Sequence, residues 1–264
     1  VKKIISFSLG GVLLLCFVLF SSVTSSSVFA SGDRGSFSPS LYQMGSSLEG
    51  GTSTFAGYKF VAGPISAYFE LYRDGTYLGS KYGESDNYYL DRYAHALITS
   101  GVHTTSGSYK MTWSGRIGKY YSDGSDYTDA GEKTYYLSSS RDSKKQILEE
   151  EMTENKLVQS WEKGREIISL NNESFSEWTL MNTAQLHEKL SNLSRQERSS
   201  FLNAFYSEER TSNLDVGDYM SAILISPNNS EALVYWEKSD SRYVVIHLLN
   251  DDSNWYVDST DIIN

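Results

Sequence analysis

One imidazole and one carboxylate in this chain fall at a spacing that catalysis can use. A hairpin turned at Asp252-Ser253 sets His247 opposite Asp258 on adjacent strands. A carboxylate beside an imidazole fixes its tautomer and stabilises the imidazolium, as a general-base pair requires. Side-chain alternation weighs against that role. Val244, Ile246 and Leu248, with Trp255 and Val257, form the more apolar face and should meet the helices, so His247 and Asp258 point the other way. The pair then reads as an exposed cross-strand contact, worth roughly 0.2–1 kcal/mol. Ser160-Trp161-Glu162-Lys163 matches S-x-x-K without the companion motifs of that enzyme class. The other three histidines are scattered. There is no G-x-S-x-G elbow, no H-E-x-x-H and no phosphate-cradling glycine loop. Asp123, Asp126 and Asp129 offer hard oxygen ligands for calcium, but the loop Ser122–Asp129 lacks EF-hand spacing and its closing glutamate. It reads as a solvated turn. No catalytic residue, metal site or cofactor is assigned.

Tyrosine offers a different chemistry, that of contact. Fifteen of the twenty tyrosines lie between Tyr42 and Tyr136. Tyr88-Tyr89, Tyr120-Tyr121 and Tyr135-Tyr136 are adjacent pairs, so on a strand one member of each must face outward. An exposed tyrosine presents a flat apolar ring with a polar tip, suited to stacking on sugars or to protein contact. Tyr88, Tyr89, Tyr120 and Tyr121 are therefore the candidate binding residues. The plainer reading is strand propensity alone.

The first thirty residues read as an export signal. Lys2 and Lys3 precede a mostly apolar run from Ile4 to Val23, and Val28-Phe29-Ala30 suits signal-peptidase cleavage after Ala30. The alternative is an uncleaved anchor, since ~20 apolar residues can span a bilayer. Removing this leader removes Cys16, the sole cysteine, so the mature chain has no disulfide and no thiolate chemistry. With the two leader lysines gone, 21 Lys+Arg stand against 33 Asp+Glu, a net charge of −12. That balance, without clustered Lys or Arg, argues against nucleic acid. A neutral or cationic partner is easier to accommodate.

Composition divides the remainder into two modules, residues 31–140 and 141–264. Sixteen of twenty glycines lie between Gly32 and Gly131. Residues 31–140 carry 9 Lys+Arg against 11 Asp+Glu, and residues 141–264 carry 12 against 22. The first module shows period-two patterning and glycine-rich turns, which predict an all-β antiparallel sandwich or small barrel. Asp74-Gly75 predicts a type I′ hairpin, with Leu71 facing Leu78 and Tyr72 facing Tyr77. Ser106-Gly107 predicts a second hairpin. There Ala96, Ile98, Val102 and Thr104 share a buried face with Tyr109, Met111, Trp113 and Ile117. His95, Thr99, His103, Lys110, Thr112, Ser114 and Arg116 take a wet one.

The second module reads as helices followed by a four-stranded antiparallel meander, making the whole chain α+β. Residues 142–170 form a long polar helix with Ile147, Met152, Val158, Trp161 and Ile168 on its apolar side. Asn182 with Gln185, and Ser194 with Glu197, have capping-box spacing. Strands are predicted over Tyr219–Ile225, Glu231–Lys238, Tyr243–Leu249 and Asn254–Ser259. The phrases Glu231–Trp236, Tyr243–Leu249 and Asn254-Trp255-Tyr256-Val257-Asp258 resemble the closing strands of cystatin-like and nuclear-transport-factor-2-like domains of secreted bacterial proteins. The resemblance covers about residues 145–264 and implies an extracellular, non-enzymatic piece. Some relatives are isomerases or dehydratases with a polar pocket in the cone. The strand that many members place between helices is not read here.

The expectation is a secreted bacterial, non-catalytic interaction protein that binds an extracellular protein or glycan, not nucleic acid, and meets a membrane only through its leader. A membrane-active toxin or bacteriocin-like protein is the alternative, because the alternating Ala96–Ile117 segment approaches the ~9–11 residues per strand that span a bilayer. A cone-type enzyme built on His247 is the third.

Overall fold

The structure, a computed structural model, describes residues 35–57, 64–85, 92–118, 126–138, 143–171 and 173–264. Its first half is two antiparallel sheets. Strands β1 (Ser36–Met44), β2 (Ser47–Phe55) and β5 (Tyr93–Leu97) form a sheet in the order β1-β2-β5. Strands β3 (Ile65–Arg73), β4 (Thr76–Ser85), β6 (Gly107–Ile117) and β7 (Tyr127–Leu137) form the other, in the order β4-β3-β6-β7. Phe37, Leu48, Ala94 and Ala96 from the first sheet meet Ile65, Phe69, Leu71, Met111 and Trp113 from the second in one apolar cluster.

The Asp74-Gly75 turn forms, with φ of 50° and 82° at its two central residues. Tyr72 faces Tyr77 as expected. A bulge next to Leu71 then pairs that residue with Gly79 in place of Leu78. Ser106-Gly107 is not a hairpin turn. β5 and β6 belong to different sheets, and the chain between them is held along β2. Leu48 N–H donates to His103 O at 2.8 Å and Ile98 N–H to Gly50 O at 2.9 Å. The Glu49 carboxylate accepts from Ser100 Oγ at 2.7 Å. The chain is thus tied to the first sheet until it crosses into the second. Ala96, Ile98, Tyr109, Met111, Trp113 and Ile117 are buried as expected, but Val102 and Thr104 on the crossing are exposed.

The second half contains α1 (Ser143–Asn171), a 3-10 turn (Glu173–Glu177), β8 (Thr179–Met181), α2 (Thr183–Ser191), α3 (Arg195–Phe205) and α4 (Glu208–Ser212). Strands β9 (Ala222–Ile225), β10 (Glu231–Glu237), β11 (Tyr243–Asp251) and β12 (Asn254–Ile263) follow. The sheet runs β12-β11-β10-β9-β8, antiparallel throughout, so it has five strands where four were expected. The fifth, β8, is three residues long and lies between helices, too short to show period-two patterning. The fold is α+β.

Helices cover both faces of this sheet. On one, Leu157, Ser160, Trp161, Gly164 and Ile168 of α1 are buried. A side chain at Gly164 would come within 2.6 Å of both Tyr235 and Tyr243, and those rings reach the helix backbone directly. Tyr235 Oη donates to Trp161 O at 2.7 Å and Tyr243 Oη to Ser160 O at 2.9 Å. Met152 and Val158, expected on the apolar side, are exposed, because they lie off the buried stripe of Leu157, Trp161, Gly164 and Ile168. On the other face Phe201 of α3 meets Trp255 edge to face at 5.1 Å. Asn182 and Gln185 complete a reciprocal capping box, and Ser194 caps α3 through Glu197 N–H.

The face of β6 that carries Thr112 was expected to be wet, yet it meets the second half, together with the tyrosine face of β3. Tyr72 and Tyr77 belong to the second half's apolar cluster, and Thr112 is 3 % exposed. The β3–β4 hairpin tip is also hydrogen-bonded there. Tyr77 N–H donates to Asp218 O at 2.7 Å, Gly217 N–H to Tyr77 O at 2.9 Å, and Met220 N–H to Gly75 O at 2.9 Å.

Candidate functional site

His247 projects from β11 on the same face as Tyr243 and Val245, the face that α1 crosses. It was expected on a side away from all helices; with both faces covered, that side does not exist. Its Nε2 lies 3.0 Å from Glu231 Oε2 and its Nδ1 3.6 Å from Asp258 Oδ2. The strands arrange this contact by a bulge. His247 pairs with Ser259 and Leu248 with Val257, which leaves Asp258 as the extra residue of β12. A bulge re-aims a side chain, and here it brings a second carboxylate to the imidazole. Glu231 was not read as a partner, because it sits sixteen residues upstream on a third strand. All three side chains are partly exposed. A groove of about 520 Å³ lies elsewhere, along α1, lined by charged and polar side chains such as Glu162, Lys163 and Glu166. The His247 arrangement joins three strands through side-chain contacts.

Ser160 and Lys163 share a single carboxylate. Ser160 Oγ donates to Glu237 Oε2 at 2.7 Å and Lys163 Nζ to Glu237 Oε1 at 3.4 Å. Of the acidic loop, Asp126 receives Arg116 Nε at 2.7 Å, Asp129 accepts its neighbour's N–H at 3.0 Å, and Asp123 lies outside the described residues.

The strongest electrostatic feature is a buried ion pair. Glu70 on β3 and Arg210 on α4 face each other with about 1–2 % of either side chain exposed. Arg210 Nη2 donates to Glu70 Oε2 at 2.9 Å, and Nη1 to Oε1. Tyr68 Oη, Tyr72 Oη and Thr112 Oγ1 also donate to this carboxylate, at 2.9, 2.7 and 3.3 Å. Arg210 lies over the Phe205 ring at 4.5 Å and donates to Ser221 Oγ at 3.1 Å. Burial alone would raise the Glu70 carboxyl, but the guanidinium and the hydroxyl donors hold it below the usual range. Five hydrogen bonds from four side chains converge on Glu70, while Arg210 Nε is left buried without a partner. The cluster holds the two halves together and has no open side for a substrate.

Among the described residues, the outer face of β1-β2-β5 is a surface open to contact. Phe55 pairs with Tyr93, Ser53 with His95 and Gly51 with Leu97. Ser36, Ser38, Ser40 and Tyr42 of β1 continue the same rows. The Tyr93 and His95 rings stack at 5.8 Å with planes 8° apart, and Phe55 leans on Tyr93 at 4.7 Å. His95 Nδ1 lies 2.8 Å from Ser53 Oγ. Tyr42 and Tyr93 each keep 48 % of their surface, and Leu97 keeps 59 %. Gly51, between Ser40 and Leu97, adds no side chain to the middle of the face. The result is a flat patch of aromatic rings and hydroxyls with little charge.

The residues expected to bind, Tyr88, Tyr89, Tyr120 and Tyr121, lie outside the described residues, as does Ala30. Of the third pair, Tyr135 packs on the core between the sheets and Tyr136 takes the other face of β7. Tyr93 and Phe55 were missed because neither belongs to a doublet. Their signal was alternation in Tyr93-Ala94-His95-Ala96-Leu97, where small residues face in and large ones out. Comparison with family models, with curated proteins and with solved structures returns no match.

Proposed function

We propose that this chain is an exported, non-catalytic binding protein whose outer β1-β2-β5 face contacts a neutral extracellular polymer or protein. The stacked Phe55–Tyr93–His95 row carries this reading. Aromatic rings held rigidly on a sheet lose little entropy on contact, and their polar tips tolerate a hydrated partner. The hydroxyl rows of Ser36, Ser38, Ser40 and Ser53 suit hydrogen bonding to sugars. The acidic second half, locked to the first through Glu70 and Arg210, serves as a base that leaves this face free. Among the described residues, no helix is long and apolar enough to cross a membrane. The membrane-active alternative relied on a β5–β6 hairpin, and those strands pair in separate sheets.

The test is co-sedimentation of the chain with insoluble cell-wall polysaccharide and with wall-protein extracts, before and after Tyr42→Ser and Tyr93→Ser. Truncating a contact aromatic should weaken retention roughly 5-fold or more. Unchanged retention in the double variant would remove this face as the site.

A further inference from the structure

The second half ends its sheet on an open edge. β12 is ten residues long and has β11 on one side only. The hydrogen-bonding phase of its outer side follows from the ladder. Lys238 N–H donates to Arg242 O and Asn250 N–H to Ser230 O, so the even-numbered residues of β11 bond β10. The odd-numbered ones then bond β12, in the pairs His247–Ser259, Val245–Asp261 and Tyr243–Ile263. That leaves the backbone groups of Trp255, Thr260 and Ile262 pointing outward. Trp255 N–H confirms the phase, because it donates outward to Ser200 Oγ at 3.1 Å. Beyond that point no bond from another described segment reaches the edge.

Edges are normally guarded by Lys, Pro, a bulge or a cover. β12 is bulged at Asp258, covered by α3 only at its start, and then runs on through Ser259-Thr260-Asp261-Ile262-Ile263 with no Lys or Pro. Its charges have one sign. Residues 243–264 hold Asp251, Asp252, Asp258 and Asp261 and no Lys or Arg. A second copy is disfavoured there, because it brings the same carboxylates and no Lys or Arg to the edge, and self-pairing centred on Asp261, in the phase that Thr260 and Ile262 set, opposes that carboxylate with itself. We propose that the outer edge of residues 259–263 accepts an extended, cationic peptide segment of a partner protein as a sixth strand. Thr260 and Ile262 supply the main-chain bonds, and Asp258 and Asp261 select basic side chains. This site is on a different half from the aromatic face and does not depend on it.

The probe is a fluorescein-labelled octapeptide of alternating Lys and Val, with a Glu/Val counterpart, titrated with the leaderless chain and read by anisotropy. The Lys/Val peptide should bind and the Glu/Val peptide should not. Thr260→Pro removes an outward N–H without touching the β11 ladder and should weaken binding ~3–10-fold; Asp261→Lys should act similarly by charge. Equal binding of both peptides, or full binding by Thr260→Pro, would overturn the proposal, as would sedimentation showing the free chain paired with itself. Amide exchange gives a second reading in the unaltered chain. The peptide should slow Thr260 and Ile262 N–H and leave Asp261 N–H unchanged; protection elsewhere alone would contradict it.

Discussion

Arg210 closes on Glu70 across 140 residues of sequence, two-pronged and out of water. Removing one partner leaves the other charge buried, which costs about 3–5 kcal/mol. Arg210→Met should therefore lower unfolding stability by that amount in urea titration. Adding Glu70→Leu should recover much of the loss, since an apolar pair of similar volume avoids the buried charge. A double variant as unstable as the single would mean that the loss lies in packing and not in charge.

That contact was illegible in the sequence, and the reason is physical. Period-two reading puts Glu70 on the tyrosine face of its strand, opposite Phe69 and Leu71, and Arg210 follows Glu208-Glu209 in a polar helix. Nothing local says that this face is covered by the second half. The Asp74-Gly75 turn was legible because its backbone requirement is satisfied by two adjacent residues. The Ser106-Gly107 hairpin was misread for the complementary reason. Its outcome depends on Glu49 holding Ser100, a contact between residues 51 apart. The outward aromatic face was half legible: tyrosine abundance pointed to it, while doublets drew attention to the wrong positions.

His187 on α2 makes stability sensitive to acid. Burial, with Lys110 nearby, pushes its pKa down to about 4. The unfolded chain binds this proton near the ordinary value of about 6.5, so stability is full above that pH and falls as pH drops toward about 4. The group should contribute a loss of about 2 kcal/mol between pH 7 and pH 5. His187→Gln should remove that share of the slope, measured as the difference in urea midpoint at the two pH values. An unchanged slope would place the sensitivity elsewhere.

Gly75 sits where the hairpin tip meets α1. It has a φ of 82°, and a side chain there would come within 2.8 Å of Leu157 Cδ2. Gly75→Val should cost about 2–4 kcal/mol through backbone strain and overpacking together. Thermal unfolding reads this, and a cost under 0.5 kcal/mol would show that the tip rearranges freely.

His247 should matter little. A partly exposed cross-strand contact is worth under about 1 kcal/mol, so His247→Ala should unfold within that margin of the unaltered chain. A loss of several kcal/mol would show that this cluster is central to the sheet.

Hydrogen exchange of the chain bound to its captured wall partner tests the binding reading most directly. Slowed exchange over residues 36–55 and 93–97, lost when Tyr42 and Tyr93 are changed to serine and kept when the exposed Tyr82 is, is the expected result. Slowing confined to residues 219–263, with the β1-β2-β5 strands unaffected, would contradict it.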